Sequence, residues 1–140
     1  MNYSPINFLI NNYKKDCLNN YIENCDIFRD KIDNNIIKQL LEQKPNISSN
    51  SIKKLIIYRQ FDYVNMLLDE KLKRNEQLDS RILNCACYHR DFNILSNLIN
   101  KYKIKPDNDT FNDCIIYNPK NSNEENINKL IMDHLNNQSK

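Results

Sequence analysis

The sequence predicts an all-α fold, a short solenoid of helix–turn–helix repeats, on three observations. Ile52 to Leu68, IKKLIIYRQFDYVNMLL, and Leu83 to Ile99, LNCACYHRDFNILSNLI, are near copies set 31 residues apart. Superposed, they put Phe61 on Phe92, Asp62 on Asn93, Tyr63-Val64 on Ile94-Leu95 and Leu67-Leu68 on Leu98-Ile99. Their apolar residues keep a helical period and no hairpin dipeptide separates the runs, so strands are not expected. A unit of this size cannot bury its apolar face alone; stacking on its neighbours shields it.

The chain of 140 residues is a one-domain length, long enough for one continuous core. It divides into residues 1–48, an N-terminal cap and worn repeat; 49–79, the first clear repeat; 80–109, the second; and 110–140, a C-terminal capping repeat. In the first segment Ile6, Leu9, Ile10, Tyr13, Cys17 and Tyr21 mark an amphipathic helix. Ser4 is placed to cap it and Pro5 to open it. A loosely packed arm is the alternative. Ile27-Phe28, Ile32, Ile36-Ile37 and Leu40-Leu41 continue the helical period, with Asn34 to Gln43 read as the second helix of the worn repeat and Pro45 as its stop. Ser49 or Asn50 caps the first clear repeat, and Asp79 or Ser80 the second. The third unit opens on Thr110 to Asp113, TFND, which is patterned like a capping box, with Phe111, Cys114, Ile115 and Tyr117 on its buried side. A polar loop, NPKNSNEEN, then leads to a last helix carrying Ile127, Leu130, Ile131 and Leu135, and the closing NNQSK is expected to fray.

Composition narrows the function classes. Asn occurs 26 times and Ile 19, while Gly and Trp are absent; ordinary usage of about 7% would give roughly ten glycines. Heavy use of Asn, Ile, Lys and Tyr resembles the coding of an AT-rich genome, such as that of a large DNA virus, a protist or an intracellular parasite. Phosphate-cradling and dinucleotide loops need Gly where backbone approaches the ligand, which excludes Walker and Rossmann sites. Helix C-caps should fall to Asn instead. A net charge of +2 argues against a dedicated non-specific nucleic-acid binder. Five cysteines, Cys17, Cys25, Cys85, Cys87 and Cys114, show no framework spacing, and no secretory leader pattern opens the chain. No apolar run reaches the ~18 residues of a membrane span. A soluble protein in a reduced cytoplasm is expected, in the host cytoplasm if the source is viral.

Two groups of residues invite chemical readings. Cys85, Cys87 and His89 form C-x-C-x-H, but on a helix Cys87 points away from the other two, whereas structural zinc wants four converging ligands. Cys85 and Cys87 are expected to pack as small apolar side chains. Neither a base-activated thiol nor a carboxylate pair is suggested, so the chain is read as no enzyme, with no cofactor, metal or small-molecule substrate. Lys71, Lys73 and Arg74 end one repeat and Lys101, Lys103 and Lys105 the next, so stacking would align them into a basic stripe for an acidic or phosphate-bearing partner. Helix-dipole complementation explains the same residues without a partner. Tyr58, Arg59, Tyr88, His89 and Arg90 sit in or beside the turns between paired helices, and Tyr and Arg are frequent interface anchors.

In the second unit Leu83, Ala86-Cys87, Arg90-Asp91, Phe92, Asn93, Ile94-Leu95 and Leu98-Ile99 occupy in register the places of the ankyrin-repeat core. The first unit follows with Ile52, Phe61, Asp62, Tyr63-Val64 and Leu67-Leu68, but carries Leu55 and Ile56 where small residues usually sit. Residues 50–105 thus resemble degenerate ankyrin repeats. The family's Thr-Pro-Leu-His turn is replaced by Asn50-Ser51-Ile52-Lys53 and Arg81-Ile82-Leu83-Asn84, and both turn glycines are missing, so a projecting finger should be shortened or absent. The resemblance implies a non-catalytic module that binds another protein, with a viral or parasite protein engaging a host partner as one setting. Ile104 to Asp107 with Thr110 to Asn112 is similar to the junction of pentatricopeptide repeats, which implies a rival reading as a single-stranded RNA binder. A compact helical-bundle structural or host-interaction protein of a virus is the third.

Overall fold

A computed structural model describes residues 5–27, 29, 31–106, 112 and 114–138, with side chains from residue 15 to residue 136. Ser4, Phe28, Thr110, Phe111, Asp113 and the side chains of Ile6, Leu9, Ile10 and Tyr13, to which the sequence assigned roles, lie outside the described residues. The described residues form helices and no strand: α1 Pro5–Asn24, α2 Asn34–Glu42, α3 Ser49–Ile57, α4 Phe61–Lys73, α5 Arg81–Tyr88, α6 Phe92–Ser96 and α7 Ser122–Gln138. A π turn, Asn97–Lys101, extends α6. Instead of fraying at Asn136, α7 continues as helix to Gln138. None of these helices is long and apolar enough to cross a membrane.

The helices pack in pairs, α1 with α2, α3 with α4, and α5 with α6, the last two pairs joined by turns of three residues. The first members, α1, α3 and α5, pack in series, while α7 packs on α6. Links between successive helix pairs join residues 31 or 32 positions apart. Ser51 Oγ donates to Asn19 Oδ1 at 3.0 Å across 32 positions, and Tyr63 Oη donates to the Ile32 carbonyl at 3.0 Å across 31. Phe61 and Phe92 each open the second helix of a pair and lie half-buried against the core. Leu55 and Ile56 are wholly buried where the next unit has Ala86 and Cys87, so larger side chains are accommodated in the first of the two units. Leu67-Leu68 and Leu98-Ile99 complete the shared core, closed at its ends by Leu18 and Ile22 on one side and Ile127 and Ile131 on the other.

Caps explain where the helices start. Asp33 accepts from the amides of Asn35 and Ile36 at 2.8 and 3.3 Å, and Asp91 accepts from Ile94 at 3.1 Å. The helix α3 is capped by Ser48, ahead of the expected Ser49 or Asn50, and the Ser48 hydroxyl accepts from the Ser51 amide at 3.1 Å. Buried Asn19 decides this by accepting from the Ser48 amide at 2.9 Å, which holds Ser48 extended. Asp79 accepts from the Arg81 amide at 2.9 Å at the start of α5.

Helix ends depart from the expectation that Asn would replace Gly. Left-handed backbone occurs at Lys44, Arg59, Asn75, Arg90, Lys103 and Asn118, only two of which are Asn. After α3 the Gln60 amide donates to Leu55 at 2.8 Å and Arg59 to Ile56 at 3.0 Å; after α4 Glu76 donates to Lys71 and Asn75 to Leu72, both at 3.0 Å. These are paired Schellman closures, which satisfy the terminal carbonyls. Bonds of this kind hold Lys and Arg in a conformation that costs a side-chain-bearing residue about 1 kcal/mol relative to Gly.

Cys87 and Cys114 are joined as a disulfide with their Cα atoms 5.0 Å apart. The expectation that Cys87 packs as a thiol is thereby corrected. Packing residue 114 beside the end of α5 buries both side chains and brings the Cα atoms within disulfide reach, a proximity that a separation of 27 positions conceals in the sequence.

Candidate functional site

The turns of the helix pairs form one edge of the molecule. Because Arg59 and Arg90 both follow a helix and adopt left-handed backbone, the two tips repeat at 31 positions with Tyr58 matching His89 and Ile57 matching Tyr88. Each tip reaches the next unit. Arg59 Nη1 lies 3.5 Å from Asp91 Oδ2, and Arg90 Nη1 lies 3.8 Å from Glu124 Oε1. Asn123 strengthens the second link, donating to the Arg90 carbonyl at 2.9 Å while its Oδ1 accepts from the Phe92 amide at 3.2 Å. Asp91 and Glu124 stand at helix N-termini, where the dipole favours a carboxylate. Both arginines remain largely exposed, so the pairs add little stability and leave the guanidinium faces accessible.

The structure therefore brings Tyr58, Arg59, Tyr88, His89 and Arg90 to the same edge. Tyr88 is 82% exposed and meets the His89 ring edge-on at 5.4 Å between centroids. Tyr117, assigned by the sequence to the buried side of the third unit, is instead 85% exposed. Its neighbour Ile116 takes the buried place because Asn128 holds it at both ends, accepting from its amide at 2.8 Å and donating to its carbonyl at 2.9 Å. Ile57 extends the edge beyond the residues chosen from sequence, and exposed Tyr117 follows Ile116, which lines a cleft with Tyr88 and Arg90. A cleft of about 350 Å³ opens beside Tyr88 and Arg90, floored by Ile115, Ile116 and the Cys87–Cys114 bridge.

The six-residue basic stripe is not continuous. Lys71 Nζ donates to the Ile47 carbonyl at 3.1 Å, with Glu76 at 3.9 Å, and only 12% of its side chain is exposed. Arg74 donates to the Pro45 carbonyl and, through Nε, to Glu70 Oε1 at 3.2 Å. Lys101 lies 3.5 Å from Asp69 and 5.0 Å above the Tyr102 ring. Lys73, Lys103 and Lys105 are exposed. Helix length explains the broken register. The second helix with its π turn ends three residues sooner in the later unit, so the C-cap equivalent of Arg74 is Tyr102.

Residues of the C-x-C-x-H motif diverge. Cys85 Sγ faces the Lys53 carbonyl at 3.8 Å, Cys87 is bridged to Cys114, and His89 lies against Tyr88. Burial pushes the Cys85 thiol above its ordinary pKa, which disfavours the reactive thiolate. Among the described residues no three His, Cys, Asp or Glu side chains are grouped to hold a metal ion.

Compared with protein-family models, curated proteins and solved structures, the chain matches none.

Proposed function

We propose that the chain is a non-catalytic protein-interaction module, a stack of degenerate ankyrin-like helical repeats that presents its turn edge to a partner protein. One observation carries the reading: Tyr88 stands more than four-fifths exposed on the edge where Arg59 and Arg90 recur, and Tyr117, equally exposed, follows Ile116, which shares a cleft with Tyr88 and Arg90. Large aromatic rings lose little conformational entropy when they are covered, and Arg adds planar hydrogen bonding, so such an edge suits recognition. Repetition supports the same reading, since tip residues vary without disturbing the core beneath them.

Parallel affinity capture with the wild-type chain and a Tyr88→Ala/Tyr117→Ala variant tests the proposal. A protein retained by the first and lost by the second, with equal helix content by circular dichroism, is the expected result. An identical captured set would refute the edge. Capture abolished by ribonuclease would favour the single-stranded RNA reading instead.

A further inference from the structure

A groove of about 760 Å³ lies away from the tips, between the connector that follows α4 and the segment that follows the π turn. Tyr102 and Ile104 line it from the core side, both almost wholly buried, and Leu72 and Leu78 add apolar surface. Its two carboxylates are already matched within the chain. Glu76 lies 3.9 Å from Lys71, and Asp79 is gripped by Arg81 at 2.8 Å, which holds its carboxyl well below the usual range. Lys103 and Lys105 also line the groove, and neither has an ion pair among the described residues. Among the described residues, the unmatched charge of this groove is therefore positive.

The equivalent joint one unit earlier is closed by the protein itself. There Lys71 and Arg74 bond to the carbonyls of Ile47 and Pro45, joining the end of α4 to the preceding connector. In the later joint the Arg74 position is Tyr102, whose hydroxyl turns to Asp69 at 2.9 Å and Asn65 at 3.2 Å rather than crossing to the connector.

We propose that this groove is a docking site for an extended acidic peptide of a partner protein, with aliphatic side chains against Leu72, Leu78 and Ile104 and carboxylates on Lys103 and Lys105. This rests on the protein-interaction reading and adds a second face to it. Carboxylates offset the two unmatched lysines, whereas a basic peptide would add to the positive charge.

Panning the full chain against displayed random peptides at low ionic strength tests the site, followed by fluorescence polarisation of the enriched peptide. Enrichment of Asp and Glu interleaved with Leu and Ile is expected, and affinity should fall as salt rises. Lys103→Glu/Lys105→Glu should weaken binding at least about tenfold, and Lys103→Gln/Lys105→Gln by less, because removing attraction is milder than adding repulsion. Tyr88→Ala/Tyr117→Ala should leave the peptide affinity unchanged, so failure of the groove and failure of the tip edge are read separately. Neutral or basic consensus peptides, no enrichment, unchanged affinity in both lysine variants, displacement by single-stranded oligouridylate, or a dimer seated through Leu78 in solution would each overturn the proposal.

Discussion

Two joints between successive helix pairs, one filled and one open, show how one side chain at a helix end decides whether a groove forms. At the first, the connector after α2 receives Lys71 and Arg74, and both cations are anchored on backbone carbonyls. At the second, the connector after α4 faces Tyr102, Lys103, Ile104 and Lys105 across a groove. Both joints follow a left-handed residue, Lys44 in one and Asn75 in the other, so the chain path alone does not distinguish them. The C-cap side chain does. Arg74 reaches the preceding connector, whereas Tyr102 lies back against α4. Charge at a helix end is thus no guide to availability until its partners are known.

A third joint, beside the end of α5, is held covalently, and breaking it should have the largest effect. Loop closure across 27 residues predicts that Cys114→Ser, or reduction of the bridge, removes about 3 kcal/mol of stability, read from denaturant midpoints with and without a thiol reductant. Equal midpoints would show that the bridge adds nothing.

Arg74→Met breaks the filled joint and should cost about 2 kcal/mol, because it strips a charged donor from the Pro45 carbonyl and from Glu70. At the open joint Lys105→Met should change stability by no more than about 0.5 kcal/mol. Similar losses at the two positions would erase the distinction between the joints.

Tyr102→Phe should cost about 1 kcal/mol at neutral pH through the bonds to Asp69 and Asn65. Burial, with the Asp69 carboxylate, raises the pKa of Tyr102 above its ordinary 10.0. A raised folded-state value favours the protonated phenol in the native state. Its stabilisation is complete below pH about 10 and is lost as pH rises from there through the folded value. Thermal melts of wild type should decline over that alkaline range more steeply than those of Tyr102→Phe.

A small gain is expected at Lys44, whose φ of 50° suits Gly. Lys44→Gly should raise stability by about 0.5 kcal/mol, and a loss in the same denaturation assay would contradict the backbone argument.

Helical period made the main elements legible in the sequence. The span expected from Asn34 to Gln43 is observed as Asn34–Glu42, and the matched Phe61 and Phe92 open matched helices. Local chemistry carried that far because apolar spacing and turn residues act within a few positions of themselves. The candidate site was only partly legible. Tyr58, Arg59, Tyr88, His89 and Arg90 could be placed at the tips from spacing, but Tyr117 could not be assigned outward without seeing Asn128 hold Ile116.

By itself the sequence determined the all-helical class and much of the shared core, because each depends on periodicity along one chain. Tertiary structure alone decided that Cys87 meets Cys114, that Lys71 and Arg74 are used internally, and that a groove opens between Lys103 and the preceding connector. Those outcomes depend on distances between residues of different units. Three fewer residues in the later second helix are enough to replace Arg74 by Tyr102 at the joint.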